Sequence, residues 1–389
     1  MKAKRIALVV IIILLLTPLW LWLAWLITPK RELNVMILDK TVLTKEGQEH
    51  KCLNWILNQQ KFVKRDGSFY DIPVDYYGFF PLGNEEFEIH DLEKLDSTDL
   101  MKMSKDYDML YYTDLYGIYV NEWYRHVDVA ERSQKVYGGL TNREVDLMSL
   151  MKDQGKLVVT EFNFDQAPTD GGVRARAERL WGIHWTGWIG RYFASLDTVD
   201  NPDLPKWVYH NYMRQHYGRW PFKHSGVVFD YWDDTIEVLE QDKDLQKGKT
   251  VPTIFARKYG IDYYGLPEEM IYPYWLDLTL TSDTNKVVAT YQVFTTKRGD
   301  SLLALHGIPN TFPAIFEHKG TDYQYHYFAG DFVDNPNSII TSKFKYVSFF
   351  KAFFYSRDPD DRRKFFWTFY RPMMTKILED YYAKLKGRS

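Results

Sequence analysis

The chain of 389 residues has a single cysteine, Cys52, so no intrachain disulfide can form and neither redox compartment is excluded. It has no surplus of basic charge. Its 49 Lys and Arg stand against 52 Asp and Glu, a net charge of −3, which leaves no nucleic-acid footprint over the chain. The signatures of nucleotide and acyl chemistry are missing: there is no P-loop, no complete GxGxxG and no GxSxG elbow. The ten histidines include no HExxH pair, and His210 and His216, six apart, do not share a helical face. No metal and no cofactor are therefore expected. Internal repeats, low-complexity tracts and a clear linker before Asp334 are also lacking.

What is abundant is apolar and aromatic. Residues 6–27 (IALVVIIILLLTPLWLWLAWLI) carry no charge, and 22 residues at about 1.5 Å each reach about 33 Å, enough for a bilayer core. Pro18 is tolerable in such a helix, and Trp20, Trp22 and Trp25 gather at its exit end, as an interface belt would. Lys2, Lys4 and Arg5 precede the run, and Lys30, Arg31 and Glu32 follow it. The expectation is a single-pass signal anchor in the inner, cytoplasmic membrane, with residues 1–5 in the cytoplasm and the bulk of the chain outside it. Aromatics make up 17% of the chain, a surplus that fills cores and also lines sugar-binding surfaces.

Behind that run, residues 33–38 (LNVMIL), 109–113 (MLYYT) and 156–160 (KLVVT) are short apolar strands closing on Asp39, Asp114 and Glu161. Helical patterns over 50–59, over 142–153 and from Gly171 onward alternate with them. The alternation predicts an α/β domain over 33–334 with a mainly parallel sheet, whose ligands sit beyond the carboxyl ends of the strands. After Trp220 the pattern turns to β, with a hairpin around Trp232 and further strands at 287–294, 301–305, 314–317 and 323–328.

The tail, 338–389, differs in charge. From Lys343 onward it has twelve Lys or Arg against five Asp or Glu, in a chain that is otherwise acidic. Asp358-Pro359 can open a helix in which Phe366, Phe369, Tyr370, Met373, Ile377, Tyr381 and Leu385 recur at spacings of three and four. That stripe packs on its own domain, docks on a membrane protein, or lies against an anionic membrane.

The order of elements, the loop Asp114-Leu115-Tyr116-Gly117 and the late segments Val287-Val288-Ala289-Thr290-Tyr291, Phe312-Pro313-Ala314-Ile315 and Tyr327-Phe328-Ala329-Gly330-Asp331-Phe332 resemble the class I glutamine amidotransferase-like superfold, in particular its non-catalytic, membrane-anchored members in envelope and carbohydrate-related proteins. The resemblance implies a flavodoxin-like core with added β elements. A glutaminase needs a cysteine on a glycine-flanked elbow beside a histidine, whereas the elbow position here holds Glu161-Phe162-Asn163 and Cys52 lies far upstream. Glutaminase chemistry is thus not expected.

Three constellations are candidates for ligand binding. Asp39, Asp114 and Glu161, with Lys40 as counter-charge and Tyr116 and Asn163 beside them, form a potential carboxylate set at the sheet edge. Gly171 and Gly172 open a helix that also carries Arg174, Arg176 and Glu178, a composition suited to an anion or to a plain cap. Trp185, Trp188 and Arg191 sit among glycines, as in sites that stack on sugar rings. The chain is expected to bind a carbohydrate or protein partner in envelope polysaccharide assembly or export, without catalysis. The alternatives are an extracytoplasmic glycan hydrolase working through those carboxylates and a structural subunit of a membrane complex.

Overall fold

Four short apolar runs, 35–39, 109–112, 157–161 and 324–328, make the centre of the protein, and every residue in them is buried. A strand covered on both faces needs such continuous runs and not alternation. The computed structural model describes residues 2–125, 133–358 and 361–388, the side chains of 2–14 and 388 excepted. Its main strands are β1 (Val35–Asp39), β2 (Tyr77–Gly83), β3 (Glu86–His90), β4 (Met109–Tyr112), β5 (Leu157–Glu161), β6 (Ile183–Phe193) and β7 (Gly226–Tyr231). There follow β8 (Ile236–Glu240), β9 (Thr253–Ala256), β10 (Glu269–Ile271), β11 (Leu276–Thr281), β12 (Lys286–Gln292), β13 (Thr311–Lys319) and β14 (Gln324–Phe328).

Ten of these strands form one sheet in the order β10-β9-β12-β13-β14-β5-β4-β1-β2-β3. The pairings from β14 through β5, β4 and β1 to β2 are parallel. The other five pairings are antiparallel. The expected mainly parallel, flavodoxin-like sheet is corrected to a mixed one. The physical reason is the connections: β12, β13 and β14 follow one another through links too short for a covering helix between parallel neighbours, or through one that returns antiparallel. A second sheet, β8-β7-β6-β11, is antiparallel throughout. In β6 the register shifts between Trp185 and Ile189, and Gly187 lies there at φ +94°, where a Cβ would meet the Tyr231 ring.

The helices used below are α1 (Lys2–Ile27), α2 (Gln48–Gln59), α3 (Asn142–Asp153), α4 (Gly171–Trp181), α5 (Lys206–Gln215), α6 (Lys297–Leu305) and α7 (Arg371–Arg388). Residues 301–305, expected as a strand, belong to α6, because Thr296 caps that helix through Gly299 N–H and sets its start. A five-residue apolar run does not by itself distinguish the two.

The expected membrane anchor is corrected as well. Residues 1–5 and 6–14 fall outside the described side chains, and among the described residues no helix is long and apolar enough to cross a membrane. The described end of α1 is instead tied to the domain. Trp25 is buried and its indole N–H donates to Asn58 O at 3.1 Å, while Lys345 N–H donates to Leu21 O at 3.0 Å. The single-pass topology and the inner-membrane and extracytoplasmic placement are corrected on that ground.

The basic tail folds back on the protein. Pro359, the expected helix opener, lies outside the described residues. Phe366, Phe369, Tyr370, Met373, Ile377 and Tyr381 are all buried, Trp55 of α2 meets Phe366 and Trp367 edge-on at 5.2 Å, and Tyr381 donates to Asp108 O at 2.7 Å. The stripe is spent on its own core. A membrane or membrane-protein partner docking through it is corrected on that ground, since burying those rings once removes the apolar area that would drive a second contact.

Candidate functional site

The carboxyl ends of the parallel strands bring together residues that are far apart in sequence. Glu49 lies in the first turn of α2, just past β1, Asp114 follows β4, Phe162 and Asn163 follow β5, and Asp331 and Asp334 follow β14. They line one side of a cavity of about 330 Å³. The second sheet supplies the other wall through Trp185 and Ile189 of β6, Tyr231 of β7 and Trp232 in the turn beyond it, and Trp207 of α5 and Trp275 complete it. Aromatic faces opposite carboxylates are what a polyhydroxylated ring needs, with C–H faces for stacking and hydroxyls for the acids.

Glu49, Asp331 and Asp334 each offer a carboxylate oxygen within 4.8 Å of the others. Arg362, from the short helix Arg362–Phe365, neutralises two of them: Nη2 donates to Asp331 Oδ2 at 2.9 Å and Nη1 to Asp334. The Gln48 amide also donates to Asp334. Burial first, then the charges of Asp331 and Asp334, hold the Glu49 carboxyl well above the usual range. Asp331 is pushed up to about 6 by burial and by Asp334, against the pull of Arg362. Asp114 is pushed up to about 8, chiefly by burial, although its Oδ1 accepts from Tyr116 N–H at 2.8 Å and from Thr41 Oγ1 at 2.9 Å. The three clustered acids have the oxygen donors a hard divalent cation takes, but Arg362 already supplies positive charge to both aspartates.

The expected site residues divide into two groups. Asp114, Tyr116, Asn163 and Trp185 line this cavity, and Arg191 lines an adjoining one. The others do not reach it. Asp39 is buried against His50, Lys40 pairs with Glu144 at 2.7 Å and donates to Gly139 O at 2.9 Å, and Glu161 accepts from Tyr111 in the core. Asp39 and Asp114 both accept from Thr41 and so adjoin, but of Asp39, Asp114 and Glu161 Asp114 alone lines the cavity. At α4, the Asp170 carboxylate takes the N–H groups of Gly172 at 2.8 Å and Val173 at 3.3 Å, so Gly171 and Gly172 open a capped helix. Arg176 is bound to Asp146 and Asn142, Arg174 lies over the Trp185 ring, and Glu178 accepts from Trp185 N–H. Trp188 is buried, edge-on to His306.

Sequence reasoning missed Glu49, Asp331, Asp334 and Arg362. The rule that ligands lie beyond strand ends applies to the first three as well. Glu49 stands one residue before the helical pattern expected over 50–59, and Asp334 closes the domain expected over 33–334.

No family model matches the chain, and no curated protein matches it. Solved structures similar to it include a β-galactosidase from Bacillus circulans sp. alkalophilus, at 12% identity and a TM-score of 0.34 over 80% of this chain and 31% of that one. A putative ThuA-like protein from Bacteroides uniformis matches at 8% identity and a TM-score of 0.33, over 78% of this chain and 83% of that one. A carbohydrate deacetylase matches at 8% and 0.30, over 77% of this chain and 30% of that one. The chain thus spans about a third of the length of the β-galactosidase and of the deacetylase. The mixed ten-stranded sheet, in place of a mainly parallel one, corrects the expected place in the class I glutamine amidotransferase-like superfold.

Proposed function

We propose that the chain is a glycan hydrolase, and that the observation carrying this reading is the meeting of Glu49, Asp331 and Asp334 within 4.8 Å in a tryptophan-lined cavity. Glycoside hydrolysis needs one carboxyl that is protonated and one that is ionised, and environments that push the two apart assign the roles. Glu49, whose carboxyl burial and its acidic neighbours hold well above the usual range, is the proton donor. Asp331, held against Arg362, is the anion. Their close approach suits the retaining arrangement, at about 5 Å, better than the wider inverting one.

In that scheme the Glu49 carboxyl gives its proton to the glycosidic oxygen as the C–O bond breaks, and the Asp331 carboxylate bonds to the anomeric carbon. Water then attacks that carbon, Glu49 takes the proton back, and the Asp331 carboxylate leaves. Trp185, Trp207 and Trp275 line the cavity beside the sugar. The test is reducing-end release from a panel of neutral and acidic polysaccharides by the purified chain, Glu49→Gln and Asp331→Asn. The expected result is turnover of at least one polymer, with each variant slowed about 100-fold or more. Turnover that survives both substitutions, or no turnover across the panel, overturns the reading.

A further inference from the structure

A second cavity, of about 580 Å³, adjoins the first and shares Trp275, Asp331 and Asp334 with it. Asp331 and Asp334 therefore stand at the junction of two chambers, with room for sugar on both sides. Into the second chamber faces Arg191 of β6. Its guanidinium lies 4.8 Å from the Phe193 ring centre and 5.6 Å from that of Trp275, so two rings hold its plane. Among the described residues it has no hydrogen-bond or ion-pair partner. The neighbouring Arg362 is different, because both of its Nη atoms are engaged by Asp331 and Asp334.

A half-buried guanidinium whose donors are unengaged is costly, and those forked donors match a planar carboxylate in two parallel hydrogen bonds. Burial first, then the like charge of Arg362, disfavour its charged form, while Asp203, Asp331 and Asp334 act the other way from beyond hydrogen-bond range. The other acids of this chamber, Asp200 and Asp203, are exposed and stand at its rim.

Building on the hydrolase reading, we infer that the second chamber takes a uronic acid residue, whose carboxylate Arg191 binds, next to the bond that is cut. The substrate class is then an acidic glycan long enough to fill both chambers. Arg191 is a specificity residue that acts on binding and not on proton transfer.

The test is isothermal titration of the full chain, Arg191→Gln and Arg191→Lys with hexamers of galacturonate, mannuronate and glucose and with a sulfated hexasaccharide. The expected result is binding of a uronate hexamer, weakened about tenfold or more by Arg191→Gln and less by Arg191→Lys, with any neutral binding unchanged. Unchanged neutral binding also shows that the variant is folded. Binding of the glucose hexamer alone overturns the uronate inference and leaves the hydrolase reading standing. Preference for the sulfated hexamer overturns it too, in favour of a different anion, as does uronate binding that is indifferent to Arg191→Gln. Binding of no hexamer at all overturns both.

Discussion

Asp39 and His50 meet at 2.6 Å, both fully buried, and the contact joins the end of β1 to the first turn of α2. His50 Nε2 faces Ile72 O at 2.9 Å, so both ring nitrogens have acceptors, and Asp39 Oδ1 accepts from Thr41 N–H at 3.0 Å. The ring is thereby fixed from two sides, and Glu49, its neighbour in sequence, is fixed with it. His50→Ala leaves a buried carboxylate unpaired and is expected to cost about 3 to 5 kcal/mol in unfolding free energy. Urea denaturation followed by tryptophan fluorescence measures it. Adding Asp39→Asn to His50→Ala removes the stranded charge, so the double variant should lose clearly less than the two single losses summed. Additive losses would show that the pair is not coupled.

The pH dependence of activity follows from the same cluster. Asp331 must be ionised to act, and with its carboxyl pushed up to about 6, kcat/KM is expected to rise with pH through that value. Glu49 must be protonated, so activity falls at a higher pH, where it ionises. Arg362 pulls Asp331 downward, and Arg362→Gln should move the acid limb to higher pH. A profile of initial rates from pH 4 to 10 on a polymer that is turned over checks both limbs. An acid limb that Arg362→Gln leaves in place would remove Asp331 from the assignment.

The strands at the centre of the sheet were legible because runs such as 109–112 and 157–160 are rich in β-branched and aromatic residues and alternate with longer helical patterns. What followed Trp220 was legible as β in character but not in pairing, since the parallel contact of β14 with β5 joins residues more than 160 apart and nothing local encodes it. The same distance hid the site. Asp114 was visible at a strand end, but its partners come from α2 and from the segment after β14, and Arg362 comes from a tail whose charge suggested a surface role. Asp39 and Glu161 carried an identical strand-end signal. They differ from Asp114 only in meeting a neighbour, His50 or Tyr111, that closes them into the core. Of the helix expected to cross a membrane, the described part is tied down by Trp25 and Asn58, a contact no hydropathy pattern reveals.

His326, in the middle of β14, gives a stability prediction with a definite sign. Burial pushes its imidazole down to about 4, against the raising pull of Glu317, whose Oε2 lies 3.4 Å from Nδ1. The unfolded chain takes up a proton near 6.5, and the folded chain does so only near 4. The neutral ring therefore contributes its full stability above pH 6.5. That contribution is lost progressively as pH falls from 6.5 through 4, because the unfolded state binds the proton first. His326→Phe keeps a ring in the buried position and removes the titration. Thermal melts at half-unit steps between pH 4 and 7 should then show a shallower acid decline for the variant than for the parent chain, the two curves converging toward low pH. Parallel curves would mean that the acid sensitivity in this range belongs to other groups.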